Sequence, residues 1–114
     1  MPGIIDFTFN ANKKLDADSF TTIRLRNDFK YKPGAEFYVN LRQERRTINR
    51  GLVRVVEVRH IFLNQINNFI AYLDEGVNQV ECKQRIENRY KNVQPPINWN
   101  TQELSFVLLA KIKK

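Results

Sequence analysis

Apolar and polar positions alternate through much of the first half of the chain. From Thr21 to Arg26, Ile23 and Leu25 share one side of an extended segment, and Thr22, Arg24 and Arg26 share the other. Phe37, Val39 and Leu41 alternate with Glu36, Tyr38, Asn40 and Arg42, the mark of a half-buried strand. Asp6 to Phe9 is aromatic and β-branched, which predicts a short first strand. The polar stretch 10–19 predicts a loop or a single helical turn, and Lys32-Pro33-Gly34 predicts a tight turn. Leu52 to Ile61 is valine-rich and predicts a long strand, with Arg54 and Glu57 breaking the alternation as a bulge does. A basic loop is expected at about 43–50.

The period then changes. Phe62/Leu63, Ile66, Phe69/Ile70 and Leu73 recur every three or four residues, predicting an amphipathic helix over about 62–73. Asp74-Glu75-Gly76 interrupts it. Asn78 and Glu81 have capping-box spacing, and the second helix should run to about Lys91 with Cys82, Ile86 and Tyr90 on one stripe. Pro95-Pro96 stops it, and a last strand is expected from Ser105 to Lys113, with Phe106, Leu108, Ala110 and Ile112 facing inward. The order β-β-β-β-α-α-β predicts an α+β fold: a small, mostly antiparallel sheet, curled or closed into a barrel to hide its edges, with two or three flanking helices.

Composition narrows the class. A length of 114 residues with 42% hydrophobic content suits one domain, 1–114, with an ordinary core. The single Cys82 excludes an intramolecular disulfide and a multi-thiolate zinc site, and His60 has no partner at metal-ligand spacing; neither metal nor cofactor is expected. No apolar run nears the length of about 20 residues that a membrane helix needs, and the start lacks signal-peptide character, so no membrane partner and a cytoplasmic location are expected.

Charge carries more information. The chain holds 19 Lys plus Arg against 12 Asp plus Glu, and residues 24–60 alone hold ten bases against four acids. Most of the ten are arginines, whose planar fork suits phosphate oxygens and stacks on bases. Arg26, Arg42, Arg45, Arg46 and Arg50 are the candidate phosphate contacts. An acidic protein partner, or plain solvation, would use the same residues. Thr22 and Arg24, side by side on one strand face, suit a base edge or a phosphate if that face lines a cleft. Trp99 suits either packing or stacking on a base, and Cys82 suits the core.

Thr21-Thr22-Ile23-Arg24, Tyr31-Lys32-Pro33-Gly34-Ala35-Glu36-Phe37, Glu75, and the stretch from Glu81 to Tyr90 resemble the ASCH family in order and spacing, over about residues 7–113. The resemblance implies a PUA-like fold with a small β-barrel, helices beside it and a cleft. It also implies association with RNA, and in some members hydrolysis of the amide of N4-acylated cytidines. By motif, the family's threonine falls on Thr22, its glutamate on Glu75 and its lysine on Ser19. A serine hydroxyl needs a base to activate it, and Lys13 or Lys14 is the candidate amine in its place. The resemblance therefore implies a module that binds RNA or a modified nucleobase through Ser19, Thr22, Arg24 and Glu75. As an enzyme it would be an amidohydrolase using Thr22, Glu75, Lys13 and Lys14. Glu75 has a further expectation as a charge cap at a helix N-terminus.

Overall fold

The computed structural model describes residues 2–112. Its strands are β1 (Gly3–Phe7), β2 (Ser19–Leu25), β3 (Glu36–Gln43), β4 (Arg46–Phe62) and β5 (Glu103–Lys111). They form one mixed sheet in the order β1-β3-β4-β5-β2. β1 lies parallel to β3, with Gly3 opposite Phe37 and Phe7 opposite Leu41; the other three pairings are antiparallel. Two helices, α1 (Asn68–Glu75) and α2 (Gln79–Arg89), precede β5, and 3-10 segments occupy Ala11–Asp16 and Leu63–Gln65. None of these helices is long and apolar enough to cross a membrane.

The 17-residue β4 serves two neighbours, and two irregularities bend it. Opposite Val39 it fits both Arg50 and Gly51, with Gly51 at φ +101°, a conformation that glycine adopts without steric cost. Between Val55 and Glu57 the extra residue is Val56, at the place where Arg54 and Glu57 disturb the sequence alternation. After this bulge the inward side of β4 passes from Val53 and Val55 to Val58.

No ladder joins β1 to β2, so the sheet is not closed. Side chains nonetheless bring its two edges together. Phe7 of β1 meets Phe20 of β2 edge-on, with ring centroids 6.0 Å apart. Such pairs contribute roughly 1 kcal/mol beyond their buried area. Ile5, Phe7, Leu15, Phe20, Val39, Val53, Val107 and Leu109 belong to one core on the inner face. Ile23, Leu63, Ile66, Ala71, Cys82, Ile86 and Leu104 form a second core where the helices cover the outer face.

Having two covered faces explains the largest error of periodicity. Leu104, Ser105, Val107 and Leu109 are buried, whereas Phe106, Leu108 and Ala110 are only half-buried, so the inward phase of β5 is opposite to that expected. In an apolar run that packs on both sides, alternation does not identify the inner face. The helix expected over 62–73 is also corrected. Phe62 ends β4, a 3-10 turn follows, and α1 begins only after Asn67, whose side chain accepts from the Ile70 amide at 2.9 Å. Phe69 and Leu73 are exposed, while Ala71, Asp74 and Glu75 form the buried face. The basic loop shrinks to a two-residue turn, Glu44-Arg45, that leaves Arg46 and Arg50 on β4. The first strand starts earlier than expected, at Gly3. The expected end of β5 at Lys113 lies outside the described residues. Asn78 caps α2 as its spacing predicts, accepting from the Glu81 amide at 2.9 Å, while Glu81 turns its carboxylate to Arg85.

Candidate functional site

Where the two sheet edges face each other, the backbone ladder gives way to a cavity of about 160 Å³. Asp6, Phe7 and Thr8 line it from β1 and its end, Thr22 and Arg24 from β2, and Asp74 and Glu75 from α1. Lys14, Phe9 and Arg89 complete the polar and aromatic parts of the wall. An apolar cavity of about 150 Å³ accommodates one benzene, so this space suits a single planar six-membered ring.

Arg24 joins the edges. Its Nη2 donates to the Asp6 carbonyl at 2.8 Å, its Nε donates to Thr22 Oγ1 at 2.9 Å, and its guanidinium lies 4.8 Å from the Phe7 ring centroid. Burial holds this guanidinium below its usual pKa. With Oγ1 already accepting from Arg24, the Thr22 hydroxyl proton remains to be donated to a ligand.

Lys14 arrives by an unusual backbone. Asn12 and Lys13 both occupy the left-handed region, at φ 55° and 53°, and the Asn10 side chain accepts from the Leu15 amide at 2.9 Å. This turn leaves Lys13 exposed and buries Lys14, whose Nζ lies 3.2 Å from Asp74 Oδ1. Thr21 Oγ1 donates to the same oxygen at 2.8 Å. Asp74 is 2% exposed, and burial raises its carboxyl above the usual range against the opposing pull of Lys14. Gly76 seals the junction. It ends α1 at φ +72°, and a Cβ there would meet the Asn12 side chain at 3.0 Å.

Glu75 does not cap a helix N-terminus. It is the last residue of α1, where the helix dipole disfavours a carboxylate. Two arginines one turn apart on α2 hold it: Arg85 Nη1 donates to Oε2 at 3.4 Å and Arg89 Nη2 to Oε1 at 3.3 Å. Arg89 Nη1 also donates to the Ile23 carbonyl at 3.4 Å, tying α2 to β2. The charges lining the cavity balance: Lys14, Arg24 and Arg89 against Asp6, Asp74 and Glu75. Asp6 Oδ1 is shielded from solvent, and although Arg42 Nε lies 3.2 Å away, it does not approach with hydrogen-bond geometry.

Lys14, Thr22, Arg24 and Glu75 thus share one hollow, while Lys13 and Ser19 are exposed and take no part in its wall. No protein-family model matches the chain, and no curated protein matches it.

The candidate arginines separate into groups. Arg26 is held at 2.8 Å by Asp28 and also by Glu103, and Arg50 is held by Asp16. Arg42, Arg45 and Arg46 share a second hollow at the β3–β4 hairpin. Trp99 packs against Tyr90 beside the second core, with centroids 6.3 Å apart, and His60 lies at the surface 3.1 Å from Asp28. Cys82 is fully buried, and burial pushes its thiol up to about 11. Among the described residues no group of three or more His, Cys, Asp or Glu is placed to hold a metal ion.

Periodicity missed Asp6, Phe9, Asp74 and Arg89. Asp74 had one available signal: two adjacent carboxylates before a helix-ending glycine oppose the dipole and call for basic partners. Phe9, 60% exposed on the cavity wall with the Arg85 guanidinium 5.9 Å from its ring, had none.

Proposed function

We propose that the chain is a module of ASCH type, with a PUA-like partial barrel, that binds RNA or a modified nucleobase. The observation that carries this reading is the ring-sized, charge-balanced cavity between the sheet edges. Balanced charge favours a neutral polar ligand over a free anion. Arg24 and the Thr22 hydroxyl offer donors, and Glu75 offers an acceptor. A cytosine-like edge matches that set, with a carbonyl and ring nitrogen that accept and an exocyclic amine that donates. Phe9 at the wall supplies a face for stacking.

Isothermal titration of cytidine, N4-acetylcytidine, uridine, adenosine and guanosine tests this reading. At least one cytidine should bind, and Phe9→Ala should weaken it roughly tenfold, the usual effect of losing one base–aromatic stack. Absence of binding by all five removes the proposal.

Lys14 favours a second reading, an amidohydrolase of N4-acylcytidines in which Lys14 replaces the family lysine. Its ammonium is held by Asp74 at the wall and would polarise an acyl carbonyl. Glu75 would take a proton from the water that attacks the acyl carbon and return it to N4 as the amide C–N bond breaks, so the products would be cytidine and the carboxylic acid. Ultraviolet absorbance of N4-acetylcytidine with purified protein decides between the readings. Turnover abolished by Glu75→Gln supports the enzyme, and an unchanged spectrum leaves the binding module.

A further inference from the structure

The cavity and the β3–β4 hairpin share a lining residue. Thr8 lines both the cavity and the shallow hollow of about 880 Å³ formed with Arg42, Gln43, Glu44, Arg45 and Arg46. A second link is the ion pair of Arg42 Nε with Asp6 Oδ1 at 3.2 Å, because Asp6 belongs to the cavity wall. The two compartments differ in charge. Cations and carboxylates match in the cavity, whereas the hollow is lined by three arginines and one carboxylate, Glu44, and of the three only Arg42 is also held by Asp6.

Arg45 and Arg46 also differ from the other surface arginines. Arg26, Arg50, Arg54 and Arg59 are each paired with a carboxylate. Among the described residues Arg45 and Arg46 have no carboxylate partner. The turn that presents them is short, with Glu44 at φ 43°. Unpaired guanidinium groups at a hairpin tip, next to a site for a neutral ring, suit a phosphate covalently attached to that ring's sugar.

We propose that the hairpin hollow is a phosphate subsite, so the ligand class is a nucleotide, free or within RNA. Its base enters the cavity and its phosphate lies among Arg42, Arg45 and Arg46. This inference rests on the nucleobase reading of the cavity, and its test separates the two.

The probes are cytidine, cytidine 5′-monophosphate and cytidine 3′-monophosphate, titrated into the wild type and into the Arg45→Ala/Arg46→Ala variant. Both substitutions are on exposed side chains, so the fold is retained. At least one monophosphate should bind the wild type about tenfold more tightly than cytidine, with the gain falling as salt rises. The double variant should lose that gain and keep its affinity for cytidine. Arg59→Ala, which removes an exposed arginine already paired with Glu57 at 2.7 Å, should change neither. Equal affinity for cytidine and both monophosphates overturns the phosphate subsite and leaves the base cavity standing. A gain that survives in the double variant also overturns it. Binding of none of the three overturns the phosphate subsite, and the base cavity then stands or falls with the titration of N4-acetylcytidine.

Discussion

Lys14→Met should destabilise the protein by about 3 kcal/mol at neutral pH, the usual scale for removing one partner of a buried ion pair. The reason is the environment of Asp74, which is 2% exposed and retains only the Thr21 hydroxyl, at 2.8 Å, once the ammonium is gone. The loss should depend on pH, and its sign is fixed. Burial already raises the Asp74 carboxyl above its ordinary value of 3.8. A carboxyl with a raised folded-state pKa binds more protons folded than unfolded. Its charge therefore costs stability above the folded pKa, and the cost is relieved as pH falls through that pKa toward the unfolded one. Removing Lys14 raises the folded pKa further, so the deficit of the variant should shrink on acidification from neutral pH. Urea unfolding at pH 7 and pH 5 measures this. Adding Asp74→Asn should restore at least half of the neutral-pH loss. A deficit below about 1 kcal/mol, or one that does not change with pH, would mean that Lys14 and Asp74 are not a buried pair.

Arg24→Met has the second large effect, because it removes the link between the sheet edges. The guanidinium makes a bond to the Asp6 carbonyl at 2.8 Å and one to Thr22 at 2.9 Å, and it stacks over Phe7 at 4.8 Å. Methionine fills much of the volume and restores none of these contacts. A stability loss of roughly 2 kcal/mol is expected, set by hydrogen bonds from a charged donor less the relief of its desolvation. Affinity for cytidine should fall roughly tenfold or more, through the lost donors and the loosened cavity wall. Arg26→Met provides the contrast. Its ion pairs with Asp28 and Glu103 are exposed and screened by solvent, so its loss should be clearly smaller than that of Arg24→Met. Similar losses in the two variants would show that Arg24 is an ordinary surface arginine.

Much of this arrangement could be read along the chain wherever one face of an element is buried and the other is chemically distinct. Alternation put Thr22 and Arg24 on the same side of β2, and that side forms the cavity wall. The disturbed valines marked the bulge at Val56, and Asn78 marked the start of α2. Where both faces are apolar, the pattern lost its phase. β5 is inverted for this reason, because Leu104 and Phe106 serve the helix-covered core while Val107 and Leu109 serve the inner one. The early start expected for the helix over 62–73, which begins only at Asn68, has a related origin. Ile66 and Leu63 are buried, but the exposed Phe69 and Leu73 supplied the rest of the helical spacing.

The cavity was legible only in part. Its strand residues follow from periodicity, but Lys14 depends on two consecutive left-handed residues, Asn12 and Lys13, and neither is a glycine. Local propensity does not predict that turn, whose Asn12 side chain packs closely against Gly76. Asp6 and Phe9 reach the wall only because the two ends of the sheet meet, and no spacing within a single element encodes that meeting.

Mapping backbone amide shifts during titration with cytidine and N4-acetylcytidine tests the central claim most directly, because it locates the ligand without assuming any residue's role. Shifts should concentrate at Phe7, Thr8, Thr22, Arg24 and Glu75, while Thr101 and Gln102, which line a separate hollow beside Arg26, stay unchanged. Shifts confined to the exposed Phe69–Leu73 surface, or none at any of the five cavity residues, would contradict the account.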